Sequence, residues 1–288
     1  MRRLGFFAAI LAVLFAAGAT AGRAIEPAAP GGDADGDSAG HDTMGSNEET
    51  GGHGAMAADP VRGLAVAEHG LRVVVDTPEL RRGATERLRF RVVDAGGRAV
   101  RDFDVEHTKR MHLIVARRDL TGFQHLHPEM AADGTWSVPV RLRDAGSYRL
   151  FADFSHDGEA TTLAADLRVD GRADLKPLPA PEPAAVSDGG YDVRLASGTA
   201  RAGEEAALRF AVTKDGRSVR PEPYLGADGH LVALREGDLA FLHVHPTDAA
   251  DDAIGFEATF PTTGAYRLFL QFKVRGEVQT VAFTVEVA

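Results

Sequence analysis

The second half of this 288-residue chain repeats its first half at a constant offset of 118 positions. His112, His125 and His127 lie in M-H-L-I-V-A-R-R-D-L-T-G-F-Q-H-L-H-P, and His230, His243 and His245 lie in G-H-L-V-A-L-R-E-G-D-L-A-F-L-H-V-H-P. The same offset links Phe123 with Phe241, Pro128 with Pro246, Gly146 with Gly264, Tyr148 with Tyr266 and Phe151 with Phe269. A duplication of this kind restricts the chain to two copies of one domain, and its length gives each copy enough residues for its own core. Histidines kept in register through the repeat read as two copies of one site. Imidazole is the commonest protein ligand for zinc, copper and nickel, so the first expectation is a metal.

Within each copy the apolar periodicity is that of short strands. Leu71–Val75, Leu88–Val92 and Trp136–Val140 run in the first copy; Tyr191–Leu195, Ala207–Ala211 and Phe256–Phe260 run in the second. Gly, Asp or Pro bound these windows, and no longer window carries a helical stripe. The expected class is all-β, with each half a sandwich. The expected repeats span residues 61–171 and 188–288. Between them, residues 172–187 include four prolines from Pro177 to Pro183, which favour an extended, semi-rigid spacer.

Before the first repeat, residues 23–60 are rich in Gly, Ala, Asp, Ser and Glu, a composition that reads as a disordered tether. Residues 1–22 read as an export signal: Arg2 and Arg3, an apolar stretch from Leu4 to Ala17, then Ala19-Thr20-Ala21 as a small-residue cleavage site, so that the exported form begins near Gly22. The alternative is a retained membrane anchor over residues 4–21. The expected location is outside the cytoplasm: periplasmic, cell-surface or secreted.

The net charge of −10 leaves no basic stripe for nucleic acid or anionic lipid. Cysteine is absent, which removes disulfides, thiolate zinc sites, iron–sulfur clusters and cysteine-ligated copper. Any metal must be held by nitrogen, oxygen or thioether.

Asp144-Ala-Gly-Ser-Tyr148 has the D-x-G-x-Y form of the tyrosine corner in immunoglobulin-like sandwiches, and Thr262-Thr-Gly-Ala-Tyr266 keeps its glycine and tyrosine. Leu150 and Leu268 stand where antibody domains carry a disulfide cysteine.

Each histidine trio also fits a hairpin. Two-residue turns at Asp119-Leu120 and Gly237-Asp238 would set His112 opposite His127 and His230 opposite His245. His125 and His243 would lie two residues along the same strand, on the same face. Three imidazoles with an open position suit copper(II), or zinc with a bound water. Read as a single motif, H-x-H-P is no more than a structural hairpin end; its duplication with a third histidine points to a ligand site. Glu106, His107, Met111 and His156 lack counterparts in the second copy, and the expectation for them is solvated loop, with a richer coordination sphere in the first copy as the alternative. The tether adds His41, Met44, His53 and Met56 in two H-x-x-M pairs, auxiliary ligands suited to copper.

H-L-[IV]-V…D-L…F-x-H-x-H-P followed by G-x-Y-R-L-F resembles a class of bacterial exported β-sandwich modules grouped with copper-resistance and heavy-metal-binding periplasmic proteins. The resemblance covers roughly residues 112–154 and 230–272. It implies tandem immunoglobulin-like domains of the cupredoxin or copper-resistance kind. By position, it implies His112, His125 and His127 with His230, His243 and His245 as ligands. It also implies metal binding or handling outside the cytoplasm; the divalent affinity order and the H-x-x-M tether make copper the expected ion, in a buffer, chaperone or resistance protein, with zinc as the alternative. The implied partners are the metal ion and another exported metal-handling protein. The competing reading is a structural or interaction protein of tandem immunoglobulin-like domains. An enzyme is not expected: Glu129, beside H-L-H-P, becomes Thr247 in the second copy, and no G-x-S-x-G, H-E-x-x-H or phosphate loop occurs.

Overall fold

The computed structural model describes residues 61–288 apart from 198, 243 and 249–251. The signal segment, the tether and with them His41, Met44, His53 and Met56 lie outside the described residues, as does His243. Among the described residues every regular element is a strand. The first repeat holds β1 (Ala67–Glu68), β2 (Leu71–Val75), β3 (Glu79–Leu80), β4 (Thr85–Val93), β5 (His112–Arg117), β6 (Gln124–Leu126), β7 (Glu129–Met130), β8 (Trp136–Arg141), β9 (Gly146–His156) and β10 (Glu159–Val169). The second holds β11 (Ala184–Val186), β12 (Asp192–Ser197), β13 (Glu205–Lys214), β14 (Arg217–Ser218), β15 (His230–Arg235), β16 (Phe241–Leu242), β17 (His245–Thr247), β18 (Ile254–Thr259), β19 (Gly264–Val274) and β20 (Glu277–Val287).

Each repeat is a two-sheet immunoglobulin-like sandwich. The sheets run β1-β2-β4-β8-β7 and β3-β10-β9-β5-β6 in the first, β11-β12-β13-β18-β17 and β16-β15-β19-β20 in the second. Strand β14 pairs β13 beside that order. Inward alternation builds the cores: Leu88, Phe90 and Val92 of β4 are buried while Arg87 and Arg89 face water. The tyrosine corner is present twice. The Tyr148 hydroxyl donates to the Asp144 carbonyl at 2.9 Å, and Tyr266 donates to the Thr262 carbonyl at 3.0 Å. Leu150 and Leu268 are fully buried, filling with hydrocarbon the place of a disulfide.

Strand β5 does not alternate; all six of its residues are buried. Its second face belongs to an apolar seam between the repeats, where Ile114, Ala116 and Phe151 meet Val232, Leu234 and Phe269. This corrects the expectation of a proline-rich spacer holding the repeats apart. Leaving both outer faces wet would forfeit roughly 25 cal/mol for each Å² of apolar surface. Leu178, from the proline-rich segment, packs on the same seam. The segment is also shorter than expected, because β11 starts at Ala184 and pairs with β12.

A strap just before β1 crosses the seam. The Phe241 amide donates to the Arg62 carbonyl at 2.9 Å, and the Gly63 amide donates to the Thr162 carbonyl at 3.2 Å. A Cβ on Gly63 would meet the Phe241 Cβ at 2.7 Å and the Phe151 ring at 2.8 Å, so only glycine passes there.

The hairpin register is centred where the sequence places it: Ile114 faces His125, and Ala233 faces Leu242. The turns are not two-residue turns. The Arg117 amide reaches the Thr121 carbonyl, and the Arg235 amide reaches the Ala240 carbonyl, closing longer loops. Leu120 and Leu239 take positive φ of 61° and 62°. That conformation costs a leucine about 1–2 kcal/mol. Burial of both side chains in the seam offsets it, at about 1.5–3 kcal/mol each.

Candidate metal centre

The seam has an apolar end and a polar end on one continuous surface. Residues 112, 114 and 116 of β5 point to the seam, as do 123, 125 and 127 of the facing segment, by the two-residue period of strands. His112, His125 and His127 therefore continue the rows of Ile114, Ala116 and Phe123. One nitrogen from each of the three rings lies within 4.8 Å of the other two. Ring centroids are 5.3 Å apart for His112 and His125, 5.1 Å for His112 and His127, and 4.7 Å for His125 and His127.

The fourth imidazole comes from the other repeat. His230, at the start of β15, lies over His125 with centroids 4.6 Å apart and over His112 at 5.5 Å, within 6° of parallel to the latter. It stacks on these two rings as a cover. His107 stands at the margin, its ring 6.1 Å from His112 and 6.0 Å from His230. His245 lies elsewhere. The second repeat crosses to its other sheet after Leu242, so His245 is exposed on β17, paired with Glu257 of β18. His230 and His245 thus belong to different sheets, and the described geometry differs from one trio per hairpin: it is a single cluster fed by both repeats.

Two ring hydrogens are committed outward. His112 Nε2–H donates to the Glu106 carbonyl at 3.2 Å, since that oxygen can only accept. His125 Nδ1–H donates to Gln271 Oε1 at 2.7 Å, and the Gln271 amide nitrogen donates to Thr280 Oγ1 at 3.2 Å. With the Gln271 oxygen toward His125, what remains is His112 Nδ1 facing His125 Nε2 at 3.0 Å, lone pair to lone pair. His127 Nε2 is buried with no hydrogen-bond partner.

Protonation is the ordinary remedy for crowded lone pairs, and burial opposes it here. Burial, then the neighbouring His112 and His127, lowers the His125 pKa to about 3. Burial, then His112 and Lys109, lowers His127 to about 4. Burial also lowers His112, and it pushes His230 well below the usual imidazole range. At neutral pH all four rings are uncharged, the form a metal requires.

The residues lacking counterparts divide between centre and periphery. Met111 is fully buried in the first core, which corrects the solvated-loop expectation for it, whereas His107 lies in a turn, half-buried beside the trio. Glu106 contributes its backbone carbonyl. His156 donates to the Asp102 carbonyl at 2.7 Å, on another part of the sandwich. Glu129 is exposed. Gln271 and Thr280 carry no motif of their own; their only trace in the sequence is the 118-residue offset from Asp153 and Thr162.

Fold and cluster together define a tandem immunoglobulin-like module with an imidazole cluster at the junction of its repeats. The chain belongs to the family described as Domain of unknown function (DUF8832), whose model matches residues 65–171 and again residues 184–288. Among curated proteins none matches at a significant level. The Escherichia coli adhesin FdeC is similar at 16% identity and a TM-score of 0.28, over 78% of this chain and 66% of that one. Salmonella alpha-2-macroglobulin is similar at 13% identity and a TM-score of 0.28, over 80% of this chain and 15% of that one. Domains 4–9 of the surface layer protein SbsC are similar at 14% identity and a TM-score of 0.23, over 75% of this chain and 31% of that one. The chain spans less than two thirds of each, and likeness at this level carries no functional argument.

Proposed function

We propose that the protein is a non-enzymatic tandem immunoglobulin-like module that captures one metal ion at the polar end of its seam. The observation that carries this reading is the donor set. Three neutral imidazoles converge; with the Gln271 oxygen toward His125, two present bare lone pairs 3.0 Å apart, and the third has a buried nitrogen with no partner. A cation accepting all three relieves both defects at once. His112, His125 and His127 would hold it, with His230 stacked above. The bound ion is the cargo of a buffer or delivery protein working outside the cytoplasm. Copper stands first because copper(II) heads the divalent affinity order, with zinc as the alternative.

A second reading has its own support. If the Gln271 amide turns half a revolution, its NH₂ donates to His125 Nδ1 and the Thr280 hydroxyl donates to its oxygen. His125 Nε2–H then donates to His112 Nδ1, giving a neutral hydrogen-bonded plug at the end of an apolar seam. That arrangement would make the protein a purely structural or interaction module. It leaves the buried His127 nitrogen unanswered, which favours the metal reading.

Titration of the purified protein with copper(II) and zinc(II) near pH 7 tests the choice. The expected result is one tight equivalent in the wild type and none in His125→Ala. No histidine-dependent binding would hand the function to the structural reading.

A further inference from the structure

We propose that Gln271, held by Thr280, is a positioning residue of this centre: a side chain of the second repeat fixes the tautomer of a ligand in the first. The inference rests on the metal reading above. His125 reaches the cluster with only Nε2, and the identity of its donor nitrogen is settled by what binds the other one. Gln271 Oε1, 2.7 Å from Nδ1, holds the hydrogen there and leaves Nε2 bare. The Thr280 hydroxyl accepts from the amide nitrogen at 3.2 Å while the amide oxygen faces the ring. Gln271 is itself buried, and it faces Thr280 directly across β19 and β20.

The arrangement repeats along the chain with one change. In the second copy a cross-strand row runs His230, Gln271, Thr280. In the first it runs His112, Asp153, Thr162, where the Thr162 hydroxyl donates to Asp153 at 2.6 Å. The same backbone position thus accepts a carboxylate or a carboxamide, each steadied by a threonine. The two ligand rings differ in who orients them: the Glu106 carbonyl serves His112 from its own repeat, and Gln271 serves His125 from across the seam. Oxygen partners of this kind orient the ligating ring and raise its donor strength. Metal affinity therefore depends on how the two repeats are docked, although all three ligands sit in the first.

The test uses the full chain, zinc(II) and a competing chromophoric chelator. Wild type binds one equivalent; Gln271→Leu is expected to bind about 10–100-fold more weakly. Gln271→Glu keeps an oxygen acceptor and is expected to stay within about threefold of wild type or to bind more tightly. Nitrogen NMR of the metal-free protein should place the His125 hydrogen on Nδ1 in wild type, and lose that preference in Gln271→Leu. If wild type binds and Gln271→Leu binds within about twofold of it, the inference fails. Equal weakening by the leucine and glutamate variants also overturns it, because that marks generic packing. Should Gln271→Leu fail to fold, Thr280→Val serves: a several-fold loss supports the inference, and unchanged affinity overturns it. A wild type that binds no zinc or copper defeats the metal reading itself, a different outcome.

Discussion

Phe123 of the first repeat stacks on Phe269 of the second with ring centroids 4.1 Å apart and planes 5° from parallel. The equivalent residues meet in the opposite sense, Phe241 against Phe151 at 5.7 Å. These pairs hold the apolar half of the seam whose polar half carries the imidazoles. Phe269→Ala should cost about 3–5 kcal/mol, the range for truncating a buried phenylalanine. Because the seam aligns Gln271 with His125, metal affinity should fall in the same variant. Urea melts and chelator competition check both; a stable variant with full affinity would show that the seam does not shape the centre.

One ion per chain distinguishes a shared centre from two separate ones. His127→Ala should abolish binding, whereas His245→Ala, on the far sheet, should leave stoichiometry and affinity unchanged. Isothermal titration reads this directly. A residual equivalent in His127→Ala would require a second centre.

The depressed imidazoles also set a pH dependence for the metal-free protein. An unfolded histidine titrates near 6.5, whereas folded His125 and His127 titrate at about 3 and about 4. Between these limits the unfolded chain binds more protons, so stability is full above about pH 6.5 and falls as pH drops toward 4. Between pH 7 and 5 the loss from His125 alone is on the order of 2 kcal/mol. Denaturant midpoints should shift accordingly, and His125→Asn should flatten the profile. A pH-independent midpoint would mean that these rings are not excluded from water as described.

Two ion pairs at matching loops offer an internal comparison. Arg117 and Asp119 are both 4% exposed, and the carboxylate also accepts from the Lys176 amide. Their counterparts Arg235 and Asp238 are 18% and 41% exposed. Asp119→Ala strands a buried guanidinium and should cost about 3–5 kcal/mol. Asp238→Ala should cost under about 1 kcal/mol. Thermal melts of the two variants decide it, and equal losses would contradict the burial argument.

The sandwich class and the hairpin register were legible because inward alternation and the duplicated spacing both follow from strand geometry. The seam left a trace that alternation alone does not explain: His112 to Arg117 and His230 to Arg235 run apolar on both faces, the mark of strands covered twice. Reading the proline-rich segment as a spacer keeps the repeats apart, and reading each duplicated trio as its own hairpin splits the histidines between two centres. Gln271 was out of reach, since a lone glutamine in a strand announces nothing until the partner across the seam is known. The departure of His245 was equally hidden, because both repeats carry H-x-H-P and differ only in where the chain changes sheets.

Ile114 and Val232, Ala116 and Leu234, and Phe151 and Phe269 are equivalent positions, so the patch that one repeat offers is the patch the other answers with. That is the isologous geometry of a two-fold homodimer, written into one polypeptide. Joining the halves makes their association intramolecular, with effective concentrations in the millimolar range for short connections. It also frees them from identity. A true homodimer would have to carry two copies of every choice made at the axis, whereas this chain sets aspartate at 153 and glutamine at 271. Covalent linkage thus permits an asymmetric centre on a symmetric frame, in which one half supplies the donors and the other their orientation.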